Sequence, residues 1–191
     1  MRVTRPTLNL TEHLERVLAD MCARLPEFAH VAPRRMLACV AHSRRGTIGG
    51  TYAKIVPMRF QDGTPFKLIN GSRYALPQIP TEHGDVLYLI YIYLPRFFDQ
   101  PFERRLLTLI HELYHIAPNF DGTIRRVSNQ RAHGASRAQF NANLEPMVQC
   151  YLAANPPEEL MAPLRADLAQ LTRQMALVGR SLPMPKSVRL P

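Results

Sequence analysis

Apolar positions along the chain alternate between two spacings, and each spacing predicts a different element. From Thr11, which reads as a helix cap, apolar residues fall at Leu14, Val17, Leu18, Met21, Cys22 and Leu25, one face of an amphipathic helix that closes before Pro26. Met36 to Ala41 is a short apolar run suited to a buried strand, and Tyr52, Ile55, Val56, Met58 and Phe60 place a second strand in 51–60. Residues 61–85 are rich in Pro, Gly, Asp and Asn and read as loop with room for a short hairpin. Val86 to Leu94 is β-branched and aromatic, bounded by Gly84-Asp85 and Pro95, and gives the clearest strand. Asp99 is placed to cap a helix with Pro101 in its first turn, running through Phe102, Leu106, Leu109, Ile110 and Leu113 to a stop before Pro118. After a polar loop over 118–135, helical spacing resumes at 138–154 and 157–178, separated by Asn155-Pro156-Pro157. Residues 1–10 and 181–191 read as extended arms. No repeat or shift in composition divides the chain, so the expectation is a single α+β domain over 1–191.

Composition narrows the class. Hydrophobic residues at 46% supply a core, which excludes global disorder. The longest apolar run, Val86 to Leu94, is too short to span a bilayer. Pro6 and the acidic Glu12 and Glu15 follow Arg2 and Arg5 without an apolar stretch, so no secretory leader is expected. Cys22, Cys39 and Cys150 are odd in number and form no CxxC pair, which points to a reducing, cytoplasmic setting.

One motif carries chemistry. His111-Glu112-Leu113-Tyr114-His115 is an HExxH pattern inside a predicted helix. At 3.6 residues per turn, positions four apart share a face, so His111 and His115 can offer ring nitrogens to one ion, and neutral imidazole suits tetrahedral Zn2+. Glu112 lies about 100° round the helix, near enough to a metal-bound water to act as general base without ligating. On an ordinary helix, three ionisable side chains set within Leu106–Ile116 would cost burial free energy with no compensation. Zinc needs a third protein ligand, and the candidates are His133, Asp121 and Glu145. Asp121 has the offset of the third metzincin ligand, although Pro118 stands where that pattern has glycine. Glu145 would lie on the following helix, and His133 in a loop that can return to the metal. Outside the metal shell, Asp121 would orient a histidine or brace Arg125 or Arg126.

The stretch HELYHIAPNFDGTIRRVSNQRAHG (His111 to Gly134) resembles the phage-type HExxH metallopeptidase family of CapP-like proteins, with its HExxH, FDG…RR and HG elements. YAKIVPMRF (Tyr52 to Phe60) and LYLIYIYLPRF (Leu87 to Phe97) extend the likeness over residues 36–152. The layout is also similar to the SprT/Spartan proteases, in which the histidine of HG is the third zinc ligand and the intervening loop is shorter; the resemblance implies that role for His133. It further implies a zincin-like fold: an N-terminal helix, a small twisted sheet, the HExxH helix and C-terminal helices. By its likeness to repressor–protease pairs, the ImmA/IrrE type included, it implies a protease stimulated by single-stranded DNA. Its substrate would be a helix-turn-helix repressor in phage defence or a DNA-damage response. The rival reading is a DNA-binding or repressor-sequestering module with a structural or vestigial zinc site.

Charge bears on that partner. The chain carries +9 at pH 7, with 21 Arg and only 3 Lys, an imbalance that codon bias or a polyanionic partner can each produce. Arg44-Arg45 beside Gly46, Gly49 and Gly50 suits a phosphate backbone. Arg34-Arg35 and Arg104-Arg105 read as solvated surface, and Arg125-Arg126 as either surface or a pair that braces the site or faces substrate. The aromatics Tyr52, Phe60, Tyr88, Tyr91, Tyr93, Phe97 and Phe98 suit a core with one half-exposed face better than a base-stacking platform. Tyr114 is expected to pack in the core. Cys39 reads as a buried small hydrophobe or, more sharply, as a thiolate that closes the zinc and silences it.

Overall fold

The computed structural model describes residues 5–43, 50–126 and 136–191. In chain order these form β1 (Thr7–Asn9), α1 (Leu10–Arg24), β2 (Met36–His42), β3 (Ala53–Pro57), β4 (Phe66–Ile69), β5 (Ser72–Ala75) and β6 (Tyr88–Leu94), then α2 (Phe102–Tyr114), α3 (Arg137–Ala153), α4 (Glu158–Arg165), α5 (Leu168–Gln174), β7 (Ala176–Val178) and β8 (Val188–Arg189). The protein is α+β. Among the described residues no helix is long and apolar enough to cross a membrane.

The central sheet has the order β2-β6-β3, with β6 parallel to β2 and antiparallel to β3. Strand alternation sorts its side chains onto two faces. Met36, Ala38, Ala53, Ile55, Tyr88, Ile90 and Ile92 join the main core with α1 and α2, while Cys39, Leu89 and Tyr91 enter a smaller cluster with Met58 and Val86 on the other face. Both faces of β6 are covered, as its unbroken apolar run requires. The run 61–85 contains the hairpin β4–β5, turned at Asn70-Gly71, where both residues take positive φ (49° and 75°). That conformation is the one a two-residue hairpin demands, and Asn-Gly supplies it with least strain.

Four expectations change. Asn9, not Thr11, caps α1, accepting from Glu12 N, while Thr11 is buried in the first turn and donates to Asn9 Oδ1. Asp99 lies in the turn before α2, which opens at Phe102 behind Pro101. The helix expected over 157–178 is three elements: α4, α5 and β7. Asp167 and Gln170 form a capping box, a start signal inside the run, and Ala166 before it is extended. The arms are also built in: β1 pairs with β7, β8 pairs with β5, and Val40 N–H donates to Arg180 O.

Arg105 is the other departure. Its side chain is buried, and its guanidinium donates to the carbonyls of Phe98, Gln100, Leu164 and Ala166, tying α2 to the segment before it and to the end of α4. Arg104 beside it is exposed and pairs with Glu145 at 2.7 Å. Removing the buried fork strands several carbonyls, each costing about 1–3 kcal/mol, whereas an exposed pair contributes about 0–1 kcal/mol. Urea unfolding should therefore show Arg105→Met losing more than about 3 kcal/mol and Arg104→Ala less than about 1 kcal/mol. Equal losses would contradict the anchoring role of Arg105.

Candidate metal centre

Helix α2 presents Leu106, Leu109, Ile110 and Leu113 to the core, and its last turn carries His111, Glu112 and, at the C-cap, His115. All three ionisable side chains are about 5% exposed or less. Helical spacing delivers the histidines to one place: their Nε2 atoms are 3.0 Å apart. Two nitrogens bound to one tetrahedral zinc at about 2.0–2.1 Å would be separated by about 3.3 Å. The pair therefore already has nearly the spacing that a shared ion requires.

Helix α3 supplies the surroundings. Asn141 Oδ1 lies 2.6 Å from His111 Nδ1, and Phe140 stacks on His115 (5.3 Å between centroids, 9° between planes) and meets His111 edge-on at 5.0 Å. Neither residue was singled out in the sequence, because both reach the histidines only through the packing of α3 on α2.

Glu112 points at the sheet. Its Oε2 accepts the backbone N–H of Ile55 at 2.7 Å. Burial lifts its carboxyl to about 7, opposed by that N–H and by the charges of Arg137 and Lys54. Strand β3 is the edge of the central sheet, and its register explains the contact. Tyr93 N–H donates to Tyr52 O and Met58 N–H to Leu87 O, so even-numbered residues turn their main chain to β6 and Ala53, Ile55 and Pro57 turn theirs outward. The carboxylate is held by an edge of the sheet that has no further strand on it among the described residues.

Beyond His115 the chain turns back on itself. Ile116 bridges to Ile124, and Arg125 N–H donates to His115 O at 2.7 Å. Gly122 sits at the bend with φ +85°, and a Cβ there would come within 2.6 Å of the Arg59 side chain. Buried Tyr88 fastens this loop to β6: its hydroxyl donates to Thr123 O and accepts from Gly122 N. The Arg125 guanidinium lies 4.4 Å over the ring of half-buried Tyr114 and donates to Ile116 O, the bracing role among the readings given to this pair. Arg126 is exposed and donates to Gln61.

Of the three candidates for a third ligand, His133 lies outside the described residues, as does the Arg44-Arg45 pair. Asp121 uses both oxygens within its own turn, accepting from Thr123 N–H and hydroxyl and from Asn119 Nδ2. Glu145 is on the surface with Arg104. Among the described residues no three His, Cys, Asp or Glu side chains form a metal cradle. The blocking role considered for Cys39 is corrected: Cys39 sits on the sheet face away from α2, and burial raises its thiol pKa. A cavity of about 1550 Å³ opens beside His111 and Glu112, with Tyr52, Arg96, Leu107, Arg137 and Leu168 in its walls.

No family model, no curated protein and no solved structure matches the chain.

The buried carboxyl has a measurable consequence. Glu112 titrates at about 7 in the fold against an ordinary 4.5. The unfolded chain therefore gives up this proton first, and the fold loses stability as pH rises from about 4.5 to 7, by up to about 3 kcal/mol. In chelator-treated protein, urea unfolding of wild type should weaken between pH 5 and 8 relative to Glu112→Gln, whose amide cannot ionise. Parallel pH profiles would show that the carboxyl is not perturbed.

Proposed function

We propose that this protein is a zinc-dependent endopeptidase with a zincin-like site, in which His111, His115 and His133 hold the metal and Glu112 is the general base. The observation that carries this reading is the 3.0 Å convergence of His111 and His115 Nε2 with Glu112 buried beside them. A third ligand from the 127–135 segment is supported by what flanks it. Arg125 on one side bonds to His115 O, and Phe140 and Asn141 on the other contact the histidine rings.

Bound zinc supplies Lewis acidity, polarising a carbonyl and lowering the pKa of water to about 7. Glu112 contributes the proton transfers. One carboxylate oxygen is fixed by Ile55 N–H, and the side chain borders the cavity, so the group can take a proton from an attacking water and deliver it to the departing amine. The outward main-chain groups of Ala53 and the carbonyl of Ile55, whose N–H is held by Glu112, offer an extended peptide a strand edge to pair with, passing the carboxylate. An intact Glu112 favours this reading over a structural or vestigial site, which would need no carboxylate there.

The resemblance of residues 36–152 to CapP-like proteases extends the proposal to biology. The substrate would be a helix-turn-helix repressor encoded nearby, the activator single-stranded DNA, and the setting the cytoplasm. Cleavage of the neighbouring gene's product, with and without single-stranded DNA and a chelator, tests each part separately. Glu112→Gln should retain zinc and lose at least about 100-fold in cleavage rate. His111→Ala and His133→Ala should lose both zinc and cleavage. Full proteolysis by Glu112→Gln would end the mechanism, and zinc retention by His133→Ala would remove that residue from the ligand set.

A further inference from the structure

The contact between α3 and the first histidine sets more than a position. His111 Nδ1 and Asn141 Oδ1 are 2.6 Å apart. An amide oxygen only accepts, so in this arrangement the Nδ1 carries the proton, and a neutral imidazole protonated there keeps its lone pair on Nε2. That Nε2 is the atom 3.0 Å from His115 Nε2. The opposite amide orientation would place an N–H donor against Nδ1 and force the proton onto Nε2, aimed at the second histidine. The two orientations of one side chain thus produce a pair that can share a cation and a pair that cannot.

We propose that Asn141 is the positioning residue of the metal centre, selecting the His111 tautomer that presents Nε2 to a divalent ion. The inference rests on the reading of His111 and His115 as metal ligands. Three features of the site favour an amide here. A neutral acceptor orients the ring without placing a second carboxylate in the cavity that already holds buried Glu112. Asn141 follows Phe140, whose ring stacks on His115, so one turn of α3 fixes the orientation of both histidines. That turn is itself anchored, since Ser136 caps α3 by accepting from Gln139 N–H at 3.1 Å. Partners of this kind typically change metal affinity 10–100-fold when removed.

Two measurements on the full chain test the assignment. In a zinc competition against a chromogenic chelator, Asn141→Leu should bind zinc about 10–100-fold more weakly than wild type. Asn141→Asp, which can only accept, should hold zinc at least as tightly as wild type. In metal-free protein, nitrogen-15 NMR of the histidine rings should show His111 protonated at Nδ1 in wild type and Asn141→Asp, shifting towards Nε2 protonation in Asn141→Leu. A mere packing role would not move that signature. Wild-type zinc affinity together with an unchanged tautomer in Asn141→Leu would overturn the proposal, as would weak binding by Asn141→Asp. If the wild-type chain takes up no zinc, the metal reading itself fails, and the metal-free spectra decide alone whether Asn141 sets the tautomer.

Discussion

The hydrogen bond from Ile55 N–H to Glu112 Oε2 is the constraint around which the centre is arranged. A carboxylate about 4% exposed is costly wherever it sits in a protein, and an apolar residue at this position of α2 would pack at no such cost. Keeping Glu112 requires a donor inside the core, and a sheet normally has none to spare, because its N–H groups are committed to neighbouring strands. An edge strand does have them. The order β2-β6-β3 places β3 at the edge, and its register turns Ile55 outward towards the helix. Sheet order, strand register and the rotation of α2 are thus linked through one bond. The same rotation fixes His111 one residue back and His115 three residues on.

The scaffold holds this geometry from several directions, with side chains that reach main-chain groups. Arg105 grips four carbonyls at the base of α2, Tyr88 clamps the loop beyond His115, and Arg24 and Arg35 donate to the carbonyls of Ala154 and Asp85. Such contacts satisfy backbone groups where regular elements end, which are the places a fold with short strands has most of. They also keep the last turn of α2 from fraying, although His115 already lies beyond the helix proper. Helix geometry brings the two histidines to their 3.0 Å approach, and these ties hold the helix that carries them.

Local rules made α2 and the strands 36–42 and 88–94 legible in the sequence. Their apolar spacing is strong, and the histidine spacing on α2 is a property of any helix. The limits of the other elements depend on competition that spacing alone does not reveal. Thr11 and Asn9 are both good caps, and the pull of Arg180 N–H on the Thr11 hydroxyl favours burying the threonine. Asp167 to Gln170 is a start signal that the apolar periodicity of 157–178 hides. Asn141 and Phe140 lie about 30 residues from His111 on a helix whose own amphipathicity is slight. Nothing local marks them, because their role exists only once α3 has docked. Cys39 shows the reverse case: its residue type suits a metal, and strand parity places it on the wrong face.

The excess of arginine over lysine acquires a structural meaning from the same contacts. The guanidinium presents five donors in a rigid plane, and the ammonium presents three on a flexible stem. At Arg105 a fork meets four carbonyls from two parts of the chain, an arrangement that lysine could not reproduce. Arg24 joins Asp20 to Ala154 O, Arg59 joins Asp85 to Met58 O, and Arg180 joins Glu15 to Ala38 O. Each links an acidic side chain to a carbonyl through one planar group. A substantial part of the basic composition is therefore internal bracing, where genome composition alone would not require such partners. Any polyanion must be recruited by the arginines that remain on the surface; the carboxylate-paired braces are already cancelled in the +9 of the whole chain, and of these four only buried Arg105 withholds a charge from it. Arg137 on the cavity wall, whose charge acts on Glu112, then matters more than the total, since a partner bound there would lie against the candidate site.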